Sequence, residues 1–89
     1  MVHPHTRIRQ SPRQVSCPVG DEFAILDLDS GVYFGLDAVG AFVWERLPRR
    51  IDELVDEVIA EFAVDRDTAH RDLLALFADL ERQGLVEVA

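Results

Sequence analysis

The chain has one cysteine, no lysine and only three histidines, and no apolar run long enough to cross a membrane; each shortage removes a class of function. The lone Cys17 rules out an internal disulfide and a Cys-x-x-Cys metal or redox site, and suits a reducing compartment. His3, His5 and His70 are too dispersed to read as a cluster, and there is no H-E-x-x-H, glycine-rich phosphate loop or Ser-His-Asp order. The expectation is a protein that is not an enzyme, with no catalytic residues, no cofactor and no metal. A membrane span needs about 20 apolar residues, which the chain never approaches, and its first residues lack the apolar centre of a secretory signal. The expected location is the cytoplasm.

Every basic residue is therefore arginine, and the charge is unevenly placed. Residues 1–20 hold Arg7, Arg9 and Arg13 and no acid, whereas residues 21–89 carry six arginines against 17 acids, a net −11. An acidic body repels the phosphate backbone that supplies most nucleic-acid affinity. Nucleic acid is not an expected partner.

What is present is enough for one small core: 89 residues, 48% hydrophobic. Residues 1–12, polar and broken by Pro4 and Pro12, read as a flexible arm, and residues 13–89 as the folded domain. Leu26 and Leu28 alternate with Asp27 and Asp29, the period of a half-buried strand, and Asp29-Ser30-Gly31 is turn chemistry. Three strands are predicted, Arg13 to Val19, Glu22 to Leu28 and Val32 to Leu36, joined by loops short enough to require an antiparallel meander. Asp37 caps a first helix from Ala38 to Leu47, which Pro48 ends.

A second helix is predicted from Ile51, Leu54, Val55, Val58, Ile59 and Phe62, which recur at helical spacing opposite an acidic face. It lacks a Ser, Thr or Asp cap, although Asp52 and Glu53 suit its positive end. The third helix runs from a cap at Asp65 to Gly84, with Ala69, Leu73, Leu76, Phe77 and Leu80 on its core stripe. Leu85 to Val88 reads as a short terminal strand. The fold class is α+β, a three-stranded antiparallel sheet followed by three helices.

Two features point to a peptide partner. Pro12 and Pro18 blunt the edge formed by the first strand, whereas the third has neither proline nor charge from Gly31 to Leu36. That edge is either covered by the third helix or terminal strand, or open to strand addition. Leu74 falls off the core stripe beside Ala78, His70 and Arg71, and is either an isolated surface leucine or one wall of a shallow groove. The short joint at Ala63-Val64 also permits a helix-turn-helix, but the third helix has a net acidic surface where a DNA reader needs cations.

In order and spacing these residues resemble the PqqD-like family, the leader-peptide recognition domains of ribosomal peptide pathways. The shared features are Leu36-Asp37, Val39-Gly40, Val43-Trp44 and Leu47, then Ile51-Asp52-Glu53-Leu54-Val55, then Val64-Asp65, Asp72, Leu76, Leu80 and Gly84-Leu85-Val86. Pro48-Arg49-Arg50 departs from the Asp-Gly turn and Ser/Thr cap of many members.

The resemblance implies a winged-helix-like fold that binds a precursor's leader as an added strand on Val32, Tyr33, Phe34, Gly35 and Leu36. Leu74 and Ala78 would line the groove, with Asp67, His70 and Arg71 available to polar groups. The segment L-D-x-x-x-G-x-Y-F-G-L-D, Leu26 to Asp37, is most similar to the stand-alone leader-binding proteins of lasso-peptide pathways. That branch implies a cysteine leader peptidase and a cyclase as further partners. The other branch implies a PQQ-type chaperone serving a radical-SAM enzyme.

Overall fold

A computed structural model describes residues 2–89. Strands β1 (Arg7–Gln10), β2 (Gln14–Val19), β3 (Glu22–Asp27) and β4 (Tyr33–Leu36) lead into helix α1 (Ala38–Glu45). A two-residue strand β5 (Arg49–Arg50), helices α2 (Ile51–Phe62) and α3 (Arg66–Arg82), and strand β6 (Val86–Val88) complete the chain. The predicted meander is the sheet β2-β3-β4, antiparallel throughout, with Val15 opposite Leu26 and Leu26 opposite Tyr33. Ile25 and Leu36 turn inward from this sheet onto Val43 and Trp44 of α1, Leu54, Val55 and Val58 of α2, and Leu73, Phe77 and Leu80 of α3. The α+β, winged-helix-like class stands as expected.

The first residues do not behave as an arm. Met1 lies outside the described residues, but Arg7–Gln10 is the middle strand of a second sheet, ordered β5-β1-β6. Arg7 and Ile8 pair with Arg50 and Arg49 on one side, and Ile8, Arg9 and Gln10 with Val88, Glu87 and Val86 on the other. Ile8 is 0% exposed and belongs to the core. The segment is polar and proline-marked, and its single inward isoleucine is too faint a pattern to announce a strand.

The same segment explains how α2 begins without a conventional cap. A helix leaves its first N–H groups unpaired. Here the N–H of Ile51 donates to the Thr6 carbonyl at 3.0 Å and that of Asp52 to the Pro4 carbonyl at 2.9 Å. Arg50, at the cap position, contributes no acceptor, but its N–H donates to Glu53 Oε1 at 3.0 Å. The partners missing from the local sequence thus come from the chain's beginning.

At the other end of α2, Ala63 closes the helix in the left-handed region, φ 54°, with its N–H on the Ile59 carbonyl at 3.2 Å. That conformation suits glycine and strains a residue with a Cβ. Ala63→Gly should therefore raise stability by about 0.5–1 kcal/mol, read as a higher midpoint in urea with unchanged slope.

Three aspartates at local turns and caps hold their protons weakly. The Arg50 guanidinium hydrogen-bonds Asp52 and holds its carboxyl down to about 2. Asp65 is lowered by the Thr68 N–H it caps, and Asp27 by the Asp29 N–H in the β3–β4 turn. Groups with folded values below their unfolded ones stabilise the fold above the ordinary aspartate value of 3.8 and lose that contribution as the pH falls through the folded value. The contribution of these three carboxylates should be fully present above about 4 and fall between about 4 and 2. In Asp52→Asn that acid slope should be shallower, as followed by Trp44 fluorescence in urea titrations across this range.

Candidate leader-peptide groove

Among the described residues, sheet order leaves β4 with a neighbour on one side only, since β3 is its single partner. The terminal strand β6, one of the elements that was a candidate cover, pairs with β1 in the other sheet. In an antiparallel pair, hydrogen-bonded and non-bonded positions alternate. The Asp27 N–H donates to the Val32 carbonyl at 3.0 Å, so the bonded positions continue through Phe34 and Leu36, opposite Ile25 and Phe23. Tyr33 and Gly35 therefore turn their N–H and C=O groups outward. A Cβ built on Gly35 meets nothing within 4 Å, and Tyr33 is 70% exposed. The opposite edge, β2, carries Pro18 and cannot offer an unbroken ladder.

Beyond Leu36 the chain enters α1, where the Gly40 N–H donates to Asp37 Oδ1 at 2.8 Å and secures the turn. Asp37, Val39 and Gly40 face Asp72, Leu73, Ala75, Leu76 and Asp79 of α3 across a groove of about 340 Å³. The other flank of α1, with Ala41 and Phe42, lines a separate hollow with Gly20, Asp21 and Phe23 at the β2–β3 turn. The α3 groove consequently opens on the β4 side of α1. It has an apolar floor in Val39, Ala75 and Leu76 and an acidic border in Asp37, Asp72 and Asp79, the last paired with Arg82.

The strand half of the expected site is brought together: Tyr33, Phe34, Gly35 and Leu36 form β4, and Val32 precedes it, its carbonyl held by Asp27. The helix half lies elsewhere. Asp67, His70, Arg71, Leu74 and Ala78 do not line the groove; at about 100° per residue they centre roughly 130° round α3 from Asp72, Ala75, Leu76 and Asp79. Leu74 is half-buried and packs against the core. Leu76 falls on the predicted core stripe and does touch the core, but it sits at the stripe's margin and also faces the groove. Helical projection separates core from surface; it does not say which surface flank meets β4. Five groove residues, Asp37, Val39, Gly40, Asp72 and Leu76, are among the positions that carry the family resemblance.

A small winged-helix-like domain with an unpaired, proline-free sheet edge that leads into a helix groove has the architecture of a peptide-binding module. The chain belongs to the family described as coenzyme PQQ synthesis protein D (PqqD), whose profile matches residues 22–86. Its fold is similar to that of TbiB1, solved in complex with the TbiA(beta) leader peptide, with TM-score 0.83 and 42% identity over 89% of this chain and 94% of that one. It is also similar to a lasso peptide synthetase B1 complexed with the leader peptide, with TM-score 0.81 and 25% identity over 91% of this chain and 98% of that one. Comparison with curated protein sequences returns no match. Among the described residues no helix is long and apolar enough to cross a membrane.

Proposed function

We propose that this protein captures the leader segment of a ribosomally made precursor peptide and holds it for the enzymes that mature it, catalysing nothing itself. The observation that carries this reading is the unpaired edge of β4, with Tyr33 and Gly35 turned outward, on a strand that runs directly into Asp37 at the border of the α3 groove. Main-chain bonds to that edge supply affinity for any extended peptide, and alternate side chains entering the groove supply selectivity. Support comes from the two similar structures, both solved with leader peptides. They favour the lasso-peptide branch, in which a cysteine leader peptidase and then a cyclase receive the precursor in the cytoplasm. A radical-SAM enzyme as client is supported only by the family's description. A DNA-binding role is opposed by the net −11 of residues 21–89.

On this reading the leader lies over Val32 to Leu36 and presents an apolar anchor to Val39, Ala75 and Leu76. The Asp37, Asp72 and Asp79 border favours a leader that is neutral or basic beside its anchor. Fluorescence anisotropy of a labelled leader should give saturable binding to the wild type. Ala75→Glu fills the groove and adds a charge at an exposed position, and should weaken binding roughly ten- to a hundredfold, about 1.4–2.8 kcal/mol. Arg71→Glu, a larger charge change on the other flank of α3, should leave affinity within about twofold. The reverse ranking would return the groove to the Leu74 and Ala78 side.

A further inference from the structure

The flank of α1 turned away from the leader groove carries a hollow of about 480 Å³, between the β2–β3 turn and the end of α2. Its floor is aromatic: Phe23, Phe42 and Phe62 line it and all three are half-buried, with Phe42 and Phe62 edge to face at 5.2 Å between ring centroids. Its border is acidic. Asp21, Glu45 and Glu61 are exposed there, and none of them is ion-paired to another described residue. The chain's own Arg46 shows what such rings hold. Its guanidinium carbon lies 3.4 Å from the Phe42 ring centroid, and Nη1 donates to the Phe42 carbonyl at 2.8 Å. The carboxylate nearest that guanidinium is Glu57 of α2, with Nε 3.6 Å from Oε1, so the three border acids keep their charge unanswered.

We propose that this hollow is where the cyclase docks, the enzyme that acts on the precursor once its leader is gone, through an arginine or lysine side chain. The inference rests on the capture reading in its lasso-peptide form, and two observations choose the occupant. First, the hollow and the groove lie on opposite flanks of α1: Ala38 and Ala41 line one, Val39 and Gly40 the other. A leader on β4 and in the α3 groove leaves the hollow open. An enzyme whose substrate has lost its leader has no leader to recognise, and this is a contact it can make with the carrier whether or not a leader is bound. Second, three phenyl rings under three unpaired carboxylates match a cation on an apolar stem, whose carbon chain covers the rings while its head meets the acids. A second copy of this chain would bring a net charge of −8 to an acidic border, and does not fit.

The test measures the affinity of the purified cyclase of the same pathway for the full chain, empty and loaded with leader, by biolayer interferometry. The wild type should bind it, with the two affinities within about twofold of each other. Glu45→Lys with Glu61→Lys reverses the border, and both positions lie in the last turn of their helices, where a cation suits the dipole. This variant should bind the cyclase at least about tenfold more weakly, while leader anisotropy and precursor cleavage by the peptidase stay within about twofold of wild type. Glu45→Gln with Glu61→Gln, which keeps size and shape, should weaken the cyclase by about threefold and carries the test should the lysine variant unfold by circular dichroism. Ala60→Lys with Gln83→Lys makes the same change in net charge as the glutamine pair at exposed positions off the hollow, and should alter none of these readings. Wild-type cyclase affinity in the folded border variants, cyclase binding that requires leader, or loss of the peptidase in place of the cyclase would overturn the docking site. A wild type that binds leader and no cyclase would overturn it as well, whereas one that holds no leader would overturn the capture reading instead.

Discussion

Replacing Gly35 with proline should remove leader binding and leave the fold in place. Gly35 lies opposite Ala24 at a position whose N–H and C=O point away from β3, so proline there deletes no bond of the sheet. A Cβ at this position meets nothing within 4 Å. What proline does delete is the outward N–H, and its ring stands where an added strand would approach. Losing one main-chain bond costs about 1 kcal/mol, and blocking the strand loses its neighbours as well, so affinity should fall at least about tenfold to a hundredfold. Gly35→Ala, which retains the N–H and enters open space, should bind nearly as the wild type does. Thermal melts of the variants should stay within a few degrees of one another. A proline variant that is folded and binds normally would remove β4 as the docking strand.

The largest effect on stability should come from the first ten residues. Ile8 is 0% exposed at the centre of β5-β1-β6, so Ile8→Ala leaves a cavity among core side chains and should cost about 2–5 kcal/mol. For a domain of this size the whole stability is about 5–15 kcal/mol, and the midpoint should drop by at least about 10 °C. Trp44, the single tryptophan, is 1% exposed and reports the core directly. Deleting residues 1–10 removes β1 and also the Thr6 and Pro4 carbonyls that receive the first N–H groups of α2, and should leave little cooperative unfolding. A free arm would predict no change for either variant.

The contrast between these two regions explains what could be read in advance. The meander, α2 and α3 announce themselves through period: Leu26 alternates with Asp27, Leu54 and Val58 recur at helical spacing, and Asp65 caps α3 through Thr68 at 2.9 Å. The open β4 edge was legible because proline and charge are absent there while Pro18 marks the other side. β1 and β5 were not legible. Their pairing joins Ile8 to Arg49 and Val88, contacts between distant parts of the chain that leave no periodic trace in four- and two-residue strands. On α3 the expected residues and those that line the groove differ for another reason. Leu74 is conspicuous as an apolar residue off the stripe, whereas Ala75 and Asp72 are unremarkable residues that line the groove only because of how α3 crosses the start of α1.

Amide hydrogen exchange, read residue by residue with and without a leader peptide, tests strand addition at β4 most directly. The Phe34 and Leu36 amides already face β3, so their exchange should slow little. Tyr33 and Gly35 face outward, and their exchange should slow by at least about tenfold at saturating leader, with β2 amides unchanged. Saturating leader that leaves Tyr33 and Gly35 exchanging freely, or that protects the outward amides of Gln14 and Ser16 of β2 in their place, would contradict the account.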